Sequence, residues 1–219
     1  MKAESVILDI DGTLWDSRAL VAEGWNLQLR HEGLEHLTVS AQQLQSLFGM
    51  TLEPLADALF GPVPVPERYR LMARCMDREH DHLRQDPCRI GYPGVKETLE
   101  QLRKTHRLFL VSNSEKGYPQ LCVEKLGLED LICGHLCYGD TGTSKGQTIR
   151  TLMEAHGITS AVYVGDTQGD RDACLEAGIP FIFAAYGFGA PDGYEAKIDS
   201  FRDLPRLLEG DGTNLSQKS

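Results

Sequence analysis

Four aspartates in this chain stand where their type and spacing could do chemistry. They are Asp9 and Asp11 in "VILDIDGTLWDS", and Asp166 and Asp170 in "YVGDTQGD". Val6, Ile7 and Leu8 precede Asp9, and Ile10 separates the first pair. A carboxylate at the mouth of an apolar strand costs free energy unless it is paired or metal-bound. Asp11-Gly12 can also be read as a hairpin turn, because Asp-Gly between apolar stretches is a strong turn signal. That reading needs a second strand directly afterwards, whereas "TLWDSRALVAEGW" reads as a loop and a helix. If the strand ends here, residues two apart project to one side and the two carboxylates converge. Their repulsion raises one pKa unless a cation sits between them. Either a metal site or an acid/base pair results.

Asp166 ends a second apolar run, and Asp170 follows four residues later, at or just inside a helix. Either could be an ordinary helix cap. With Asp9 and Asp11 they make four carboxylates at one edge of a sheet, a set of hard oxygen ligands suited to Mg²⁺. "LVSNS" places Ser112 and Asn113 at another strand end ahead of a helix. A hydroxyl, an amide and free N–H groups at such a turn suit phosphate oxygens, although a plain cap would use the same residues. Lys145, in "TGTSKGQ", falls at the start of a helix, where the helix dipole disfavours a cation. It is either an exposed surface lysine or a cation held there for a purpose.

These residues need elements to carry them. After residue 90 the chain alternates between helical periodicity (92–104, 118–127, 144–157, 169–178, 200–209) and short apolar runs (107–113, 131–140, 160–166, 179–187). Such alternation means βαβ units. Continuous apolar strands mean a sheet covered on both faces. With the first strand at 5–10, the expected core is an α/β, Rossmann-like, doubly wound and mostly parallel sheet. In such sheets ligands bind at the carboxyl ends of the strands, where Asp9, Asp11, Ser112, Asn113 and Asp166 fall. Residues 16 to about 88 contain no convincing buried strand. They suggest four amphipathic helices, around Leu20–Leu29, at 40–49, 53–61 and 66–85, with "GPVPVP" as a proline-rich joint. The expected organisation is a catalytic core of 1–15 and 90–219, with 16–89 as an inserted all-helical cap. Asp16 and Arg89 fall near the two joints, which suggests a hinge. The tail from about 210 reads as disordered.

The chain has 219 residues, 41% of them hydrophobic and 25% charged, with a net charge of −10. That is ordinary for a globular protein with one core and an insert. An acidic surface repels nucleic-acid backbones and anionic membranes, so neither is an expected partner. No apolar run approaches the length of a membrane span, and the N-terminus lacks the pattern of a signal peptide. The six cysteines include no CxxC pair, so reduced thiols in a cytoplasmic protein are expected.

Taken together, "DIDGT", then "SN", then a lysine near a helix start, then "GDTQGD" resemble the four ordered motifs of the haloacid dehalogenase superfamily. The resemblance spans essentially the whole chain. A helical insert directly after the first motif resembles the helical-cap subclass, which includes phosphoglycolate phosphatase-like enzymes and β-phosphoglucomutase. The resemblance implies that Asp9 is the nucleophile and forms an aspartyl-phosphate, and that Asp11 is the general acid and then base, oriented by Thr13. It implies Mg²⁺ held by Asp9, the backbone carbonyl of Asp11, and Asp166, with Asp170 as a further ligand or partner. It also implies that Ser112 and the backbone around Gly12 and Asn113 bind phosphoryl oxygens, and that Lys145 neutralises charge between Asp9 and the phosphate. The physical logic is independent of the family: phosphoryl transfer needs in-line positioning and charge neutralisation.

The superfamily's dehalogenases lack the second acid of the DxD, and Asp11 is present. Its phosphonate hydrolases use a cap lysine, and this chain has none between Lys2 and Lys96. Its mutases carry a histidine in the first cap helix, at a place that falls near Val21; the nearest histidine here is His31. The expected activity is therefore Mg²⁺-dependent hydrolysis of a small phosphorylated metabolite by a monomer. A phosphomutase and a non-catalytic binding member are the alternatives. Substrate choice should lie with the cap, where Arg18, Arg68, Arg70, Arg74, Arg78, Arg84 and Arg89, with His80 and His82, either meet a second anionic group or line a solvated face. The resemblance also implies that "LFGMTLEP" faces the site and that "AAYGFG" lines its entrance.

Overall fold

Ser5–Leu8 is buried along its whole length and forms β1, the strand that carries Asp9 outward. The computed structural model describes residues 3–87 and 90–209. Beyond β1 the chain leaves the sheet for four helices: α1 (Arg18–His31), α2 (Ala41–Gln45), α3 (Leu52–Leu59) and α4 (Val65–Gln85). It returns through α5 (Val95–Leu102), β2 (Arg107–Ser112), α6 (Tyr118–Leu126), β3 (Ile132–Cys137), α7 (Tyr138–Thr141) and α8 (Lys145–Ala155). The final elements are β4 (Ala161–Gly165), α9 (Gln168–Ala177), β5 (Phe181–Ala184), β6 (Ala196–Ile198) and α10 (Leu204–Glu209).

The six strands form one sheet in the order β3-β2-β1-β4-β5-β6, every neighbouring pair parallel. β1 lies at the centre, with Val6 opposite Leu108 on one side and Val162 on the other. The chain fills the sheet outward from β1 in one direction with β2 and β3, and in the other with β4, β5 and β6. Strand order thus reverses between β1 and β4, and that is where a sheet of this kind leaves a crevice for ligands at its carboxyl edge. The two faces of the sheet are covered by separate apolar clusters. Val6, Leu8, Leu110 and Val164 pack against α5 and α6, while Ile7, Phe109, Tyr163 and Phe181 pack against α8 and α9.

The expected α/β architecture is present, with three local differences. The apolar run 131–140 stops as a strand at Cys137, because Asp140 caps the turn helix α7 by accepting from the Cys137 N–H. The run 40–49 supports only α2; the chain then turns through Gly49 at φ 89°. β6 has only three residues and no apolar run long enough to announce it. The expectations that fall on Cys88, Arg89 and the tail from 210 lie outside the described residues.

The four inserted helices have their own apolar cluster. Val21, Trp25 and Leu29 form the buried stripe of α1, spaced four apart, and meet Met72 and Cys75 of α4 together with Leu44, Leu55 and Phe60. The separation from the core is incomplete. Leu20 and Leu83 belong instead to the sheet's cluster, beside Leu14 and Trp15. The two connecting segments run side by side: the Asp16 N–H donates to the Ile90 carbonyl, the Tyr92 N–H donates to the Leu14 carbonyl, and Trp15 bridges Gly91. Of the described cysteines, Cys75, Cys122, Cys137 and Cys174 are buried free thiols and Cys133 is partly buried. No helix among the described residues is long and apolar enough to cross a membrane.

Candidate active site

β1 and β4 end side by side, so Asp9 and Asp166 emerge together at the switch in strand order. Asp170 joins them from the first turn of α9, where it forms a capping box with Thr167. Asp170 Oδ2 accepts from the Asp166 N–H (3.1 Å), the Thr167 N–H (2.9 Å) and the Thr167 hydroxyl (2.7 Å). One residue thereby fixes both the helix start and the loop carrying Asp166. One carboxylate oxygen each of Asp9, Asp166 and Asp170 lies within 4.8 Å of the other two, and all three residues are buried.

Lys145 reaches this cluster from the start of α8. Its Nζ donates to Asp9 Oδ1 at 2.9 Å and to Asp170 Oδ1 at 2.6 Å. A surface lysine is excluded, since the residue is buried. Burial opposes the charge of Lys145, but Asp170 and Asp9 outweigh it and hold the ammonium well above its usual pKa. Burial likewise opposes charge on Asp170, and Lys145 with the Thr167 hydrogen bonds overcomes it, keeping Asp170 below the usual carboxylate range. Asp9 and Asp166 are not so compensated. Burial and the charge of Asp170 push Asp9 up to about 7 and Asp166 up to about 8.

Three buried carboxylates facing one ammonium leave two negative charges unmatched, which is what a divalent cation would cancel. Asp166 supplies a second sign of fit. Its Oδ2 accepts from the Phe188 N–H at 2.6 Å, while its Oδ1 is buried with no hydrogen-bond partner. The backbone closes tightly around this carboxylate. Gly12 has φ 78°, and a Cβ there would lie 2.3 Å from Asp166 Oδ2; a Cβ on Gly187 would lie 2.5 Å from the same atom. Residues fit for Mg²⁺ are thus present: carboxylate oxygens, an orphaned acceptor and an excess of charge.

Asp11 stands apart from the cluster and is held differently. Its Oδ1 accepts three hydrogen bonds, from Ser17 Oγ (2.5 Å), Trp15 Nε1 (2.8 Å) and the Tyr118 hydroxyl (2.9 Å). Burial nonetheless outweighs these and raises its pKa, favouring a proton on Asp11. Thr13 was expected to orient Asp11, and the structure corrects this. Trp15, Ser17 and Tyr118 hold the carboxylate, whereas Thr13 Oγ1 is buried without a partner. The N–H groups of Gly12 and Thr13 are also used within the turn, donating to the carbonyls of Trp15 and Ile10. These two residues shape the turn, and their own N–H groups are not free for a phosphate.

Ser112 and Asn113 lie where β2 ends, facing the same cleft as Asp9, Asp11 and Lys145. Ser112 Oγ accepts from the Ser114 N–H, and Asn113 Nδ2 donates to the Gly49 carbonyl at 2.6 Å. Asn113 therefore ties the sheet edge to the loop between α2 and α3. Phe48, Gly49 and Met50 of that loop line the cleft, as the family resemblance implied, and Phe48 packs on Phe188 with ring centres 5.6 Å apart. "AAYGFG" holds Asp166 through Phe188 and docks on the first turn through the Tyr186 hydroxyl, which donates to the Thr13 carbonyl.

The cap cations do not converge on the cleft. Arg18 pairs with Asp16, Arg68 with Asp57, Arg70 with Glu67, Arg74 with Glu32 and Glu67, Arg84 with Asp81, and His82 with Glu23. His80 does line it, with its ring against Tyr118. Sequence reasoning missed Trp15, Ser17, Tyr118 and Glu79. Trp15 and Ser17 lie inside the opening motif, but only the folded turn aims them back at Asp11; Tyr118 and Glu79 carry no local signal.

A family profile described as haloacid dehalogenase-like hydrolase matches residues 6–184. The chain belongs to that family. Phosphoglycolate phosphatases of Rhodobacter capsulatus and Nitrosospira multiformis are similar to it along nearly their whole length. The first is 26% identical over 95% of this chain and 98% of its own, the second 29% identical over 99% and 96%. In fold, the chain is similar to the crystal structure of a predicted phosphoglycolate phosphatase from Haemophilus somnus 129PT. The TM-score is 0.83 at 21% identity, covering 94% of this chain and 98% of that one. Within the family, the chain is a hydrolase of the phosphatase type.

Proposed function

We propose that this chain hydrolyses a small phosphate monoester through a phosphorylated Asp9, with Mg²⁺ held by Asp9, Asp166, Asp170 and the Asp11 carbonyl. The observation that carries this reading is the division of labour among the acids. Asp9 lies in a cluster with two uncompensated negative charges and one ammonium, while Asp11 is isolated and inclined to hold a proton. When bound, the ion offsets the repulsion between the Asp9 carboxylate and a phosphate dianion.

The chain's own residues then divide two displacements. An Asp9 oxygen attacks phosphorus as the P–O ester bond breaks, and the proton on Asp11 passes to the leaving alcohol oxygen. The Asp11 carboxylate, steadied by Trp15, Ser17 and Tyr118, next takes a proton from water. The water oxygen attacks phosphorus, the acyl-phosphate bond breaks, and phosphate leaves with Asp9 restored. Lys145 stays charged throughout and faces the same oxygens. Ser112 Oγ and the Asn113 amide lie beside the position of the transferred group. Residues 16–89 act as a cap over this edge, latched by Asn113 to Gly49, and the enzyme works as a cytoplasmic monomer. Val21, at the place where a mutase of this family carries histidine, supports release of phosphate to water.

Two measurements test the reading. Purified protein should release phosphate from phenyl phosphate only with Mg²⁺, and Asp9→Asn should abolish turnover at unchanged circular dichroism. Mg²⁺ at a hundred times its dissociation constant should stabilise the protein by about 2.7 kcal/mol, an effect lost in Asp166→Asn. Undiminished turnover in Asp9→Asn, or after chelation, would refute the mechanism.

A further inference from the structure

The cleft over Asp9 offers about 60 Å³ to the centres of water molecules, within about 590 Å³ of space that runs out into solvent. Its cap side is apolar: Val21, Trp25, Phe48, Met50, Leu55 and Met76. Into this wall α4 brings Glu79, a buried carboxyl that the chemistry above does not use. Glu79 Oε2 accepts from Trp25 Nε1 at 2.6 Å. Its Oε1 has no partner among the described residues and is not sealed from the cleft. A buried acid with one oxygen fixed by an indole and the other open to a ligand space is a built hydrogen-bonding position.

The charges around it point one way. Among the described residues lining the cleft, Lys145 is the one lysine or arginine, and both Asp9 and Asp170 already hold it. Arg18, Arg68, Arg70, Arg74 and Arg84 pair with Asp16, Asp57, Glu67, Glu32 and Asp81, and the exposed Arg78 does not line the cleft. Burial lowers the pKa of His80, so its ring tends to be neutral. Burial and the negative charge of Asp11 push Glu79 up to about 8. An entering ammonium would draw Glu79 to its carboxylate form, and an entering hydroxyl would find an acceptor. An entering carboxylate would lose its water in an apolar wall where Lys145, already held by Asp9 and Asp170, is the one lysine or arginine, and ionising Glu79 beside it would set two negative charges together.

We propose that Glu79 selects the alcohol half of the substrate. That half is a small, largely apolar group bearing an amine or hydroxyl that donates to Glu79 Oε1, and it is not a carboxylate such as phosphoglycolate carries. This rests on the phosphatase reading and goes beyond it, because it names the half of the substrate that the phosphoryl chemistry does not touch.

A matched series of aryl phosphates tests it: phenyl phosphate and its 4-aminomethyl, 4-hydroxymethyl and 4-carboxy derivatives, with 2-phosphoglycolate beside them. The aminomethyl and hydroxymethyl esters should exceed the carboxy ester in kcat/KM by tenfold or more, and phosphoglycolate should be a poor substrate. Glu79→Gln should shrink the ratio of aminomethyl to carboxy ester at least fivefold. Equal rates across the wild-type series, a preference for either carboxylate, or an unchanged ratio in Glu79→Gln overturns the proposal. The corresponding arylphosphonates, titrated calorimetrically in Mg²⁺, give the same ranking without turnover. If no ester is hydrolysed, the phosphatase reading fails by itself, and the phosphonate affinities still decide the preference. Tighter binding of the aminomethyl phosphonate than of the carboxy phosphonate supports it; the reverse, or equality, refutes it.

Discussion

Glu79 should make the folded protein lose stability as pH rises, and Glu79→Gln should remove that loss. The carboxyl is buried, pairs with no cation among the described residues and accepts from Trp25 Nε1. Burial, then the charge of Asp11, raises its pKa to about 8 in the fold, against an ordinary 4.5. Below 4.5 the acid is protonated in both states and favours neither. Between 4.5 and 8 the unfolded chain releases the proton while the folded protein keeps it, so the unfolded state gains free energy with each pH unit. Above 8 both are ionised and the full penalty stands. The interval is about 3.5 units, which at 1.36 kcal/mol per unit sets a ceiling of roughly 5 kcal/mol. Water entering the cleft beside Oε1 screens part of it, leaving an expected effect of about 2–4 kcal/mol. Glutamine keeps the shape and can still accept from Trp25. Urea unfolding of both proteins at pH 5 and pH 8.5 isolates the effect, because every other titrating group is common to them. Glu79→Gln should exceed the wild type by less than about 1 kcal/mol at pH 5 and by about 2–4 kcal/mol at pH 8.5. A difference between the two proteins that stays constant with pH would refute the account of a charge held in an apolar wall.

Two further outcomes follow from the residues around Asp11. Tyr118→Phe removes one of three donors to its carboxylate, so kcat should fall about tenfold with KM nearly unchanged, as steady-state kinetics on phenyl phosphate would show. Trp15→Ala empties a fully buried site that packs edge-on against Tyr118 and bridges Gly91, and should cost about 3–5 kcal/mol in urea unfolding.

The α/β core was legible because period carries it. A buried parallel strand must be apolar on both faces, so "VILDI", "RLFLVS" and "AVYVG" declare themselves, and the helices between them show their stripes. Asp9, Asp11, Asp166 and Lys145 were legible for a different reason. Charged residues at the ends of apolar runs need a physical account, and their order along the chain resembles a known set. Thr13 shows where this reasoning stops. The motif suggested a role in orienting Asp11, but its hydroxyl is buried without a partner, and the groups that hydrogen-bond Asp11 come from a turn and from α6.

The sequence by itself determined which residues sit at the carboxyl edge of the sheet, since strand ends and helix starts are local properties of the chain. Only the tertiary structure decided how those charges are shared. Lys145 bridges Asp9 and Asp170 because α8 and α9 pack on one face of the sheet, and that leaves Asp166 Oδ1 without a partner. It also decided what lies above the edge. Arginines at helical spacing looked available to an anion, yet each contact described above turns them to a neighbouring acid. Glu79, on a helix crowded with charge, is the residue that the packing of α1 against α4 buries beside Trp25. Long-range packing sets which charge is neutralised and which is left facing the ligand, and no local pattern in the chain encodes that choice.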